Sequence, residues 1–110
     1  MGCIWPNDVR MNQLLFSTYF SDWVKSLPST DRDIVMQRLD RAVDGNFGDC
    51  HPVGRHVWEM RIHHGPGYRV YYSRVGSVVY VILAGGTKRR QSRDITAAEA
   101  ILDSYLGGQP

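Results

Sequence analysis

The chain has 110 residues and a formal net charge of +2, and 43% of its residues are hydrophobic. This composition is typical of one globular domain with a small core. It excludes a transmembrane protein, because no apolar run approaches the roughly 18 residues that a spanning helix needs. The first residues also lack the basic region and apolar core of a secretory signal. Cys3 and Cys50 have no metal-ligand spacing, so we expect free thiols and a cytoplasmic location.

The positive charge is concentrated in one part of the sequence. Residues 51–93 carry a net charge of +7, whereas residues 1–50 carry −2 and residues 94–110 carry −3. A concentrated cationic module on a nearly neutral chain predicts a polyanionic partner, with RNA or DNA phosphate as the first candidate. The basic residues of the module are Arg55, Arg61, Arg69, Arg74, Lys88, Arg89, Arg90 and Arg93.

Regular sequence patterns begin near Met11. Residues 1–11 are therefore predicted to be an N-terminal extension, residues 12–106 the folded domain and residues 107–110 a tail. The folded domain is predicted to open with a short strand at residues 12–16.

Two helices are predicted next, and together they would form a hairpin. Ser17 or Thr18 can cap the first helix, which ends at Pro28. The second helix is predicted to open at Thr30, because Asp33 follows three residues later in a pattern close to a capping box. The apolar faces consist of Phe20, Trp23, Val24 and Leu27 in the first helix, and of Val35, Met36, Leu39, Ala42 and Val43 in the second.

Three consecutive strands are predicted in the second half of the chain. Residues 46–56 are rich in Gly, Asp and Pro, which favours a loop. Strands are predicted at residues 57–63, 68–74 and 77–84, separated by glycine-containing turns. The last of these is apolar on both faces, so we expect it to be an interior, covered strand.

A basic loop and a final helix complete the predicted fold. Gly85 and Gly86 precede the loop at residues 88–93, where they could bring backbone N–H groups and cations close to a phosphate. A helix is predicted around residues 96–105. This order of elements predicts an α+β domain with its helices against one face of a small antiparallel sheet. The candidate caps of the last helix are Asp94, or Thr96 together with Glu99.

Side-chain alternation along the strands predicts one polar face on this sheet. Burying the apolar residues under the helices fixes the strand register and brings the polar residues together on an open face. Arg61 and Arg69 would then be adjacent like charges, which repel each other unless an anion lies between them. The alternative is an ordinary solvated sheet face. The predicted face consists of Glu59, Arg61, His63, Arg69 and Tyr71, and the ring of Tyr71 could stack on a base.

The adjacent histidines His63 and His64 are the second group of interest. A histidine beside arginines can stay neutral and accept a proton near pH 7, although a hydrogen-bonded structural role is an equal alternative. Adjacent strand residues point to opposite faces, so these two cannot chelate the same metal ion, and His51 and His56 add no metal spacing. We therefore expect no metal site and no cofactor.

A set of linked segments follows one another in a fixed order: residues 45–49, 57–62, 65–72 and 83–88, then Gln91, and then Asp94 with Ile95. Together they resemble the addiction module killer proteins, which are HigB-like, phage-derived members of the RelE/ParE toxin superfamily. The resemblance covers about residues 12–104 in the same order. It implies the RelE-like fold, in which an N-terminal helical hairpin packs on a small antiparallel sheet and a helix follows at the C-terminus.

The resemblance also implies a site made of basic residues on the central strands and the following loop. Arg61 stands where such toxins have a strand lysine or arginine, Arg69 matches the arginine of a Gly-Tyr-Arg motif, and Lys88 matches the cation after a glycine pair. The late tyrosine of RelE-like enzymes has no counterpart here, so His63 and Tyr71 are the candidates for the general base. The residues expected to contact RNA are Arg89, Arg90, Gln91, Arg93 and Tyr71.

The function implied by the resemblance is that of a type II toxin. Such a protein would be a ribosome-dependent, metal-independent endoribonuclease (an mRNA interferase) that arrests growth. Its expected partner is a cognate antitoxin with a helix-turn-helix domain, and it could form a homodimer. Two alternatives stay open: a ParE-like inhibitor of DNA gyrase, and a non-catalytic component of an antitoxin–DNA complex. No membrane partner is expected.

Overall fold

The computed structural model describes residues 11–107, and within this range five strands and three α-helices follow one another. Most of the predicted N-terminal extension, Cys3 and most of the predicted tail lie outside the described residues. None of the helices in residues 11–107 is long and apolar enough to cross a bilayer. In chain order the elements are β1 (Gln13–Phe16), α1 (Thr18–Lys25), α2 (Ser29–Val43), β2 (Cys50–Gly54), β3 (Val57–Ile62), β4 (Tyr68–Arg74), β5 (Val79–Thr87), a 3-10 turn (Lys88–Arg90) and α3 (Gln91–Gly107).

The strands form one sheet in the order β1-β5-β4-β3-β2. β1 runs parallel to β5, and the other neighbouring pairs are antiparallel. The predicted interior position of the last strand is confirmed, since β5 lies between β1 and β4. The predicted register is also confirmed, because Met60 pairs with Val70 and Arg61 pairs with Arg69.

Helices cover both faces of the sheet. α1 and α2 bury one face, around Phe20, Val35, Leu39, Met60 and Val70, whereas α3 buries the other. The predicted α+β class, the N-terminal helical hairpin and the C-terminal helix are confirmed, but the expectation that one sheet face stays open is wrong. The second face carries enough apolar surface to require cover. Its buried residues are Val57, Tyr71, Val81, Leu83 and Ala84 from the strands, with Ala98 and Leu102 from α3.

The predicted loop at residues 46–56 is also wrong in part, because it contains strand β2. β2 pairs antiparallel with β3, placing His51 opposite Glu59 and Pro52 opposite Trp58, with an irregularity in register between Pro52 and Gly54. Pro52 can lie in β2 because β2 is an edge strand. One side of an edge strand has no neighbouring strand, so the N–H group that proline lacks is not needed for pairing there.

The helix boundaries test the predicted caps. Ser17 caps α1 as predicted, since its Oγ accepts a hydrogen bond from the N–H of Phe20. The predicted start of the second helix at Thr30 is wrong by one residue, and Pro28 occupies the cap position without a side-chain hydrogen bond. The predicted capping box at Thr96 is wrong, because α3 begins at Gln91 and Thr96 lies inside it.

The glycine pair before the basic residues lies in β5 rather than in a loop. A Cβ atom at Gly85 would collide with the indole ring of Trp23 in α1, and a Cβ atom at Gly86 would collide with the carboxylate of Asp94 in α3. The pair therefore serves close packing of a helix on each face of the strand. Asp94 Oδ2 is buried without a hydrogen-bond partner among residues 11–107, and burial raises the pKa of this carboxyl group.

Candidate nucleic-acid interface

A buried carboxylate lies at the centre of the polar residues on β3 and β4. The Glu59 side chain has 0% exposure and accepts three hydrogen bonds. Arg69 donates from Nη1 to Oε1 at 2.6 Å, Arg61 donates from Nε to Oε1 at 3.2 Å, and Gln91 donates from Nε2 to Oε2 at 2.8 Å. We call these four residues, together with His51, the Glu59 cluster.

The cluster follows from strand register and from the position of α3. Because Arg61 and Arg69 are direct cross-strand partners and Glu59 is two residues before Arg61, all three side chains lie on one sheet face. Gln91 reaches the same face from the first residue of α3. Burial alone would raise the pKa of Glu59, but hydrogen bonds from Arg61 and Gln91 and the charge of Arg69 lower it below its ordinary value.

His51 belongs to the same cluster, although no feature of the sequence identified it as a site residue. Its Nε2 atom lies 3.0 Å from Arg61 Nη2 and 3.3 Å from Glu59 Oε1. A neutral ring with the proton on Nδ1 accepts from Arg61 at this atom, whereas a protonated Nε2 donates to Glu59. The same nitrogen therefore has a partner in either protonation state, and its side chain is 33% exposed. These are properties that a general acid or base needs.

The two arginines differ in their access to solvent. The Arg61 side chain is 38% exposed, but that of Arg69 is only 9% exposed. The expectation that both lie on an open face is therefore wrong for Arg69, because α3 covers this part of the sheet. The anion predicted between the like charges is supplied internally by Glu59, which neutralises part of the positive charge.

Tyr71 is fully buried, so its predicted place as an exposed ring on the basic face is wrong. It packs in the core beneath α3, and its hydroxyl group has no hydrogen-bond partner of normal geometry among the described residues, although the Glu59 carboxylate lies near it. Burial raises the pKa of this phenol. Tyr71 can neither stack on a base nor act as an accessible general base in this arrangement.

The exposed cations lie next to the cluster, at the end of β5. Lys88, Arg89 and Arg90 form the 3-10 turn and are all exposed, and Arg93 is exposed on the first turns of α3. We call Lys88–Arg90 the basic turn. Its start is fixed by a hydrogen bond of 3.0 Å from the Lys88 N–H to the carbonyl oxygen of Gly67. The predicted basic loop is thus a helical turn, which holds its cations on a defined backbone.

The remaining predicted residues lie at the edges of this site. His63 is 74% exposed, and its Nε2 lies 2.7 Å from Asp49 Oδ2, a hydrogen bond that lowers the pKa of Asp49. A carboxylate rather than an arginine is therefore its partner. The Gln91 amide points inward to Glu59 instead of toward solvent.

Among residues 11–107, no three His, Cys, Asp or Glu side chains are arranged to hold a metal ion.

This geometry combines an exposed cationic turn with a half-exposed arginine and histidine. Preorganised cations of this kind stabilise negative charge that develops on a phosphate, and a histidine beside them can transfer a proton. The Glu59 cluster holds Arg61 and His51 in place while the basic turn presents further charge to solvent.

Comparison with known proteins gives the class of fold and then the family. No family model matches the sequence. The solved structure of the Escherichia coli toxin RelE in the free state, a double arginine-to-alanine mutant, is similar with a TM-score of 0.60 and 18% identity, over 83% of this chain and 98% of that chain. The protein therefore has the RelE-like fold, as the sequence predicts.

A curated relative is closer in sequence. An uncharacterized protein of Haemophilus influenzae is 34% identical over 96 residues, which cover 86% of this chain and 96% of the relative. The chain belongs to the same family as this Haemophilus protein.

Proposed function

We propose that the protein is the toxin of a type II toxin–antitoxin system, a HigB-like mRNA interferase that cleaves mRNA on the ribosome in the cytoplasm. A cognate helix-turn-helix antitoxin would neutralise it. The observation that carries the proposal is the placement of the Glu59 cluster beside the basic turn on a RelE-like fold. This arrangement suits a polyanionic substrate whose reacting group is a phosphate.

The proposed chemistry is attack of a ribose 2′-hydroxyl on the adjacent phosphorus. The 2′-oxygen forms a bond to phosphorus as the bond to the 5′-oxygen breaks, which gives a cyclic phosphate and a free 5′-hydroxyl end. Arg61 and Lys88 stabilise the charge that develops on the phosphate oxygens. Arg69 does not contact the phosphate, because its guanidinium group is almost fully covered. Its role is to hold Glu59, which in turn holds Arg61.

His51 is the group we assign to proton transfer in place of His63 and Tyr71: it takes the proton of the attacking 2′-hydroxyl, and water supplies the proton that the departing 5′-oxygen takes up. It lies within the cluster, keeps a partner in both protonation states and is partly exposed. Arg89, Arg90 and Arg93 would contact the RNA backbone, and the ribosome would hold the mRNA in line for attack. This assignment needs no metal ion.

The test is to map the 5′ ends of cellular mRNA after brief induction of the protein. New ends that appear with the wild type, and become much rarer but still measurable with Lys88→Ala and His51→Gln, support the proposal. Arg41→Ala removes an exposed arginine of α2 and serves as the matched control, which should cleave like the wild type. Intact mRNA during growth arrest would contradict the proposal.

One observation favours a second candidate, a non-catalytic binding protein. Glu59 already neutralises part of the charge of Arg61 and Arg69, which lowers the charge available for a phosphate. In that case His51→Gln should leave nucleic-acid binding unchanged, and no new mRNA ends should appear. Relaxation of a reporter plasmid without mRNA cleavage would instead indicate a gyrase inhibitor.

A further inference from the structure

A second polar cluster lies outside the proposed site and joins α2 to the turn between β3 and β4. Asp31, in the first turn of α2, accepts a hydrogen bond of 2.5 Å from the Tyr68 hydroxyl at Oδ2. Its Oδ1 atom lies 3.0 Å from His64 Nε2. Tyr68 is the first residue of β4, and His64 lies in the turn, so one carboxylate holds both ends of the turn.

The turn itself has a backbone that glycine makes possible. Gly65 and Gly67 have φ angles of 57° and 84°, in the left-handed region that other residues avoid. The Gly67 N–H donates to the carbonyl oxygen of His64 at 3.0 Å, which closes the turn. Such glycines are also flexible in the absence of other contacts, so the turn depends on its side-chain partners for a single conformation.

The opposite side of the turn contacts the basic turn directly. The Gly67 carbonyl oxygen accepts the hydrogen bond from the Lys88 N–H, and Tyr68 pairs with Thr87 across β4 and β5. Asp31 is therefore linked to the backbone of Lys88 by its hydrogen bonds to Tyr68 and His64, by the short backbone stretch between these two residues, and by the hydrogen bond from the Lys88 N–H to Gly67.

We propose that Asp31 is a positioning residue, which sets the location of Lys88 through His64, Tyr68 and the Gly65–Gly67 turn. The inference rests on the proposed function, since Lys88 is there assigned to the phosphate. Asp31 lies on the face of the sheet that α2 covers, away from the Glu59 cluster, so it acts on the reaction only through Lys88.

The hydrogen bond between Asp31 and Tyr68 persists throughout the range near neutral pH. The hydrogen bond from Tyr68 lowers the pKa of Asp31, and the same bond raises the pKa of Tyr68 to about 12. Asp31 is therefore ionised and Tyr68 is protonated over the range in which cells work, which keeps their hydrogen bond in place.

The first experiment is a double-mutant cycle between residues 31 and 88, read as kcat and KM for mRNA cleavage on programmed ribosomes. Asp31→Ala should lower kcat by about tenfold, because misplacement of a charged group costs transition-state stabilisation. In the Lys88→Ala background the same change should have no further effect. An equal loss of kcat in both backgrounds would overturn the proposal. Asp33→Asn, an exposed carboxylate on the same helix, is the matched control and should behave like the wild type.

The second experiment measures amide hydrogen exchange at Lys88, which does not require cleavage. Asp31→Asn and Tyr68→Phe should each speed exchange of the Lys88 N–H by about tenfold while core amides such as that of Val70 stay protected. Unchanged exchange at Lys88 in these variants would overturn the proposal even if cleavage falls. If the wild type cleaves no mRNA, the proposed function fails, whereas faster exchange would still establish the link between Asp31 and Lys88.

Discussion

Arg61 and Arg69 lie directly opposite each other on neighbouring strands, and both donate to the same oxygen of Glu59. Two like charges in this position would repel, so the buried carboxylate between them is a structural requirement of the site. Its removal should therefore be more costly than the removal of Arg61, which is partly exposed, and about as costly as the removal of the buried Arg69. The predictions below separate this structural role from the proposed contacts with RNA.

Glu59→Gln should lower the free energy of unfolding at pH 7 by about 3 kcal/mol, because it leaves two arginines without their buried counter-charge. The measurement is urea unfolding of wild type and variant. In the folded state the pKa of Glu59 lies below its ordinary value of 4.5. Its stabilisation is therefore present above that value and is lost as the pH falls through the lowered pKa.

The difference in stability between wild type and Glu59→Gln should accordingly be largest near neutral pH and should narrow in acid. The pKa values of Asp31 and Asp49 are also lowered, so the stability of both proteins will fall in acid. Only the difference in free energy of unfolding between wild type and Glu59→Gln isolates the contribution of Glu59. A difference that stays constant down to pH 3 would show that Glu59 is not held ionised by its partners.

The three proposed cations should differ in their effect on stability. Arg69→Ala should cost about 3 kcal/mol, because it leaves Glu59 buried without its shortest hydrogen bond. Arg61→Ala should cost about 1 kcal/mol, since the side chain is partly exposed and Glu59 keeps two partners.

Lys88→Ala should change stability by less than about 0.5 kcal/mol, because the lysine side chain is exposed. Thermal unfolding measures all three variants. Lys88→Ala is therefore the variant in which a loss of cleavage reports on chemistry alone. A strongly destabilised Lys88→Ala protein would contradict the assignment of this side chain to the surface.

Tyr71→Phe should leave the free energy of unfolding unchanged or raise it by up to about 1 kcal/mol, because the buried hydroxyl has no hydrogen bond of normal geometry to lose, even though Glu59 lies near it. Tyr68→Phe, on the same strand, is the matched control and should cost about 1 to 2 kcal/mol, because it loses the hydrogen bond to Asp31. Denaturant unfolding compares the two. A larger loss in Tyr71→Phe than in Tyr68→Phe would contradict this reasoning and would identify the nearby Glu59 carboxylate as a true hydrogen-bond partner of Tyr71.

Gly85→Ala should lower the free energy of unfolding by about 1 to 3 kcal/mol, because the new methyl group would overlap the Trp23 ring. Part of this loss should return in the double variant with Trp23→Leu, which provides space. Gly45→Ala tests backbone strain instead of packing. A Cβ atom there meets no neighbour, but the residue has a φ of 92°, which residues other than glycine rarely adopt. An additive loss in the Gly85→Ala, Trp23→Leu pair would argue against a direct collision.

The strand register and the helical hairpin could be predicted because they depend on local periodicity. Met60 and Val70 alternate with Arg61 and Arg69, and only one register buries the apolar pair. The same alternation correctly placed the two arginines side by side. It could not show what lies above them, since this depends on where α3 packs.

The residues that sequence reasoning missed depend on contacts over long distances in the chain. His51 enters the cluster only because a segment containing Gly and Pro forms edge strand β2 opposite Glu59. Tyr71 and Arg69 are buried because α3 packs across β4, and no local pattern at either residue encodes that contact. The sequence correctly places Glu59 on the same sheet face as Arg61 and Arg69. That Glu59 is the anion to which both arginines donate can be seen only from the folded structure.

The parallel pairing of β1 with β5 has a consequence for synthesis of the chain. Gln13 pairs with Val79 and Phe16 pairs with Ile82, so the first described strand can join the sheet only after the last one, β5, has been made. Contacts between such distant residues form slowly, because a long loop must close first. A nascent chain that stops before residue 79 can pair β2, β3 and β4 with one another but lacks the neighbour of its own N-terminal strand, so the sheet is complete only when nearly the whole domain has been made.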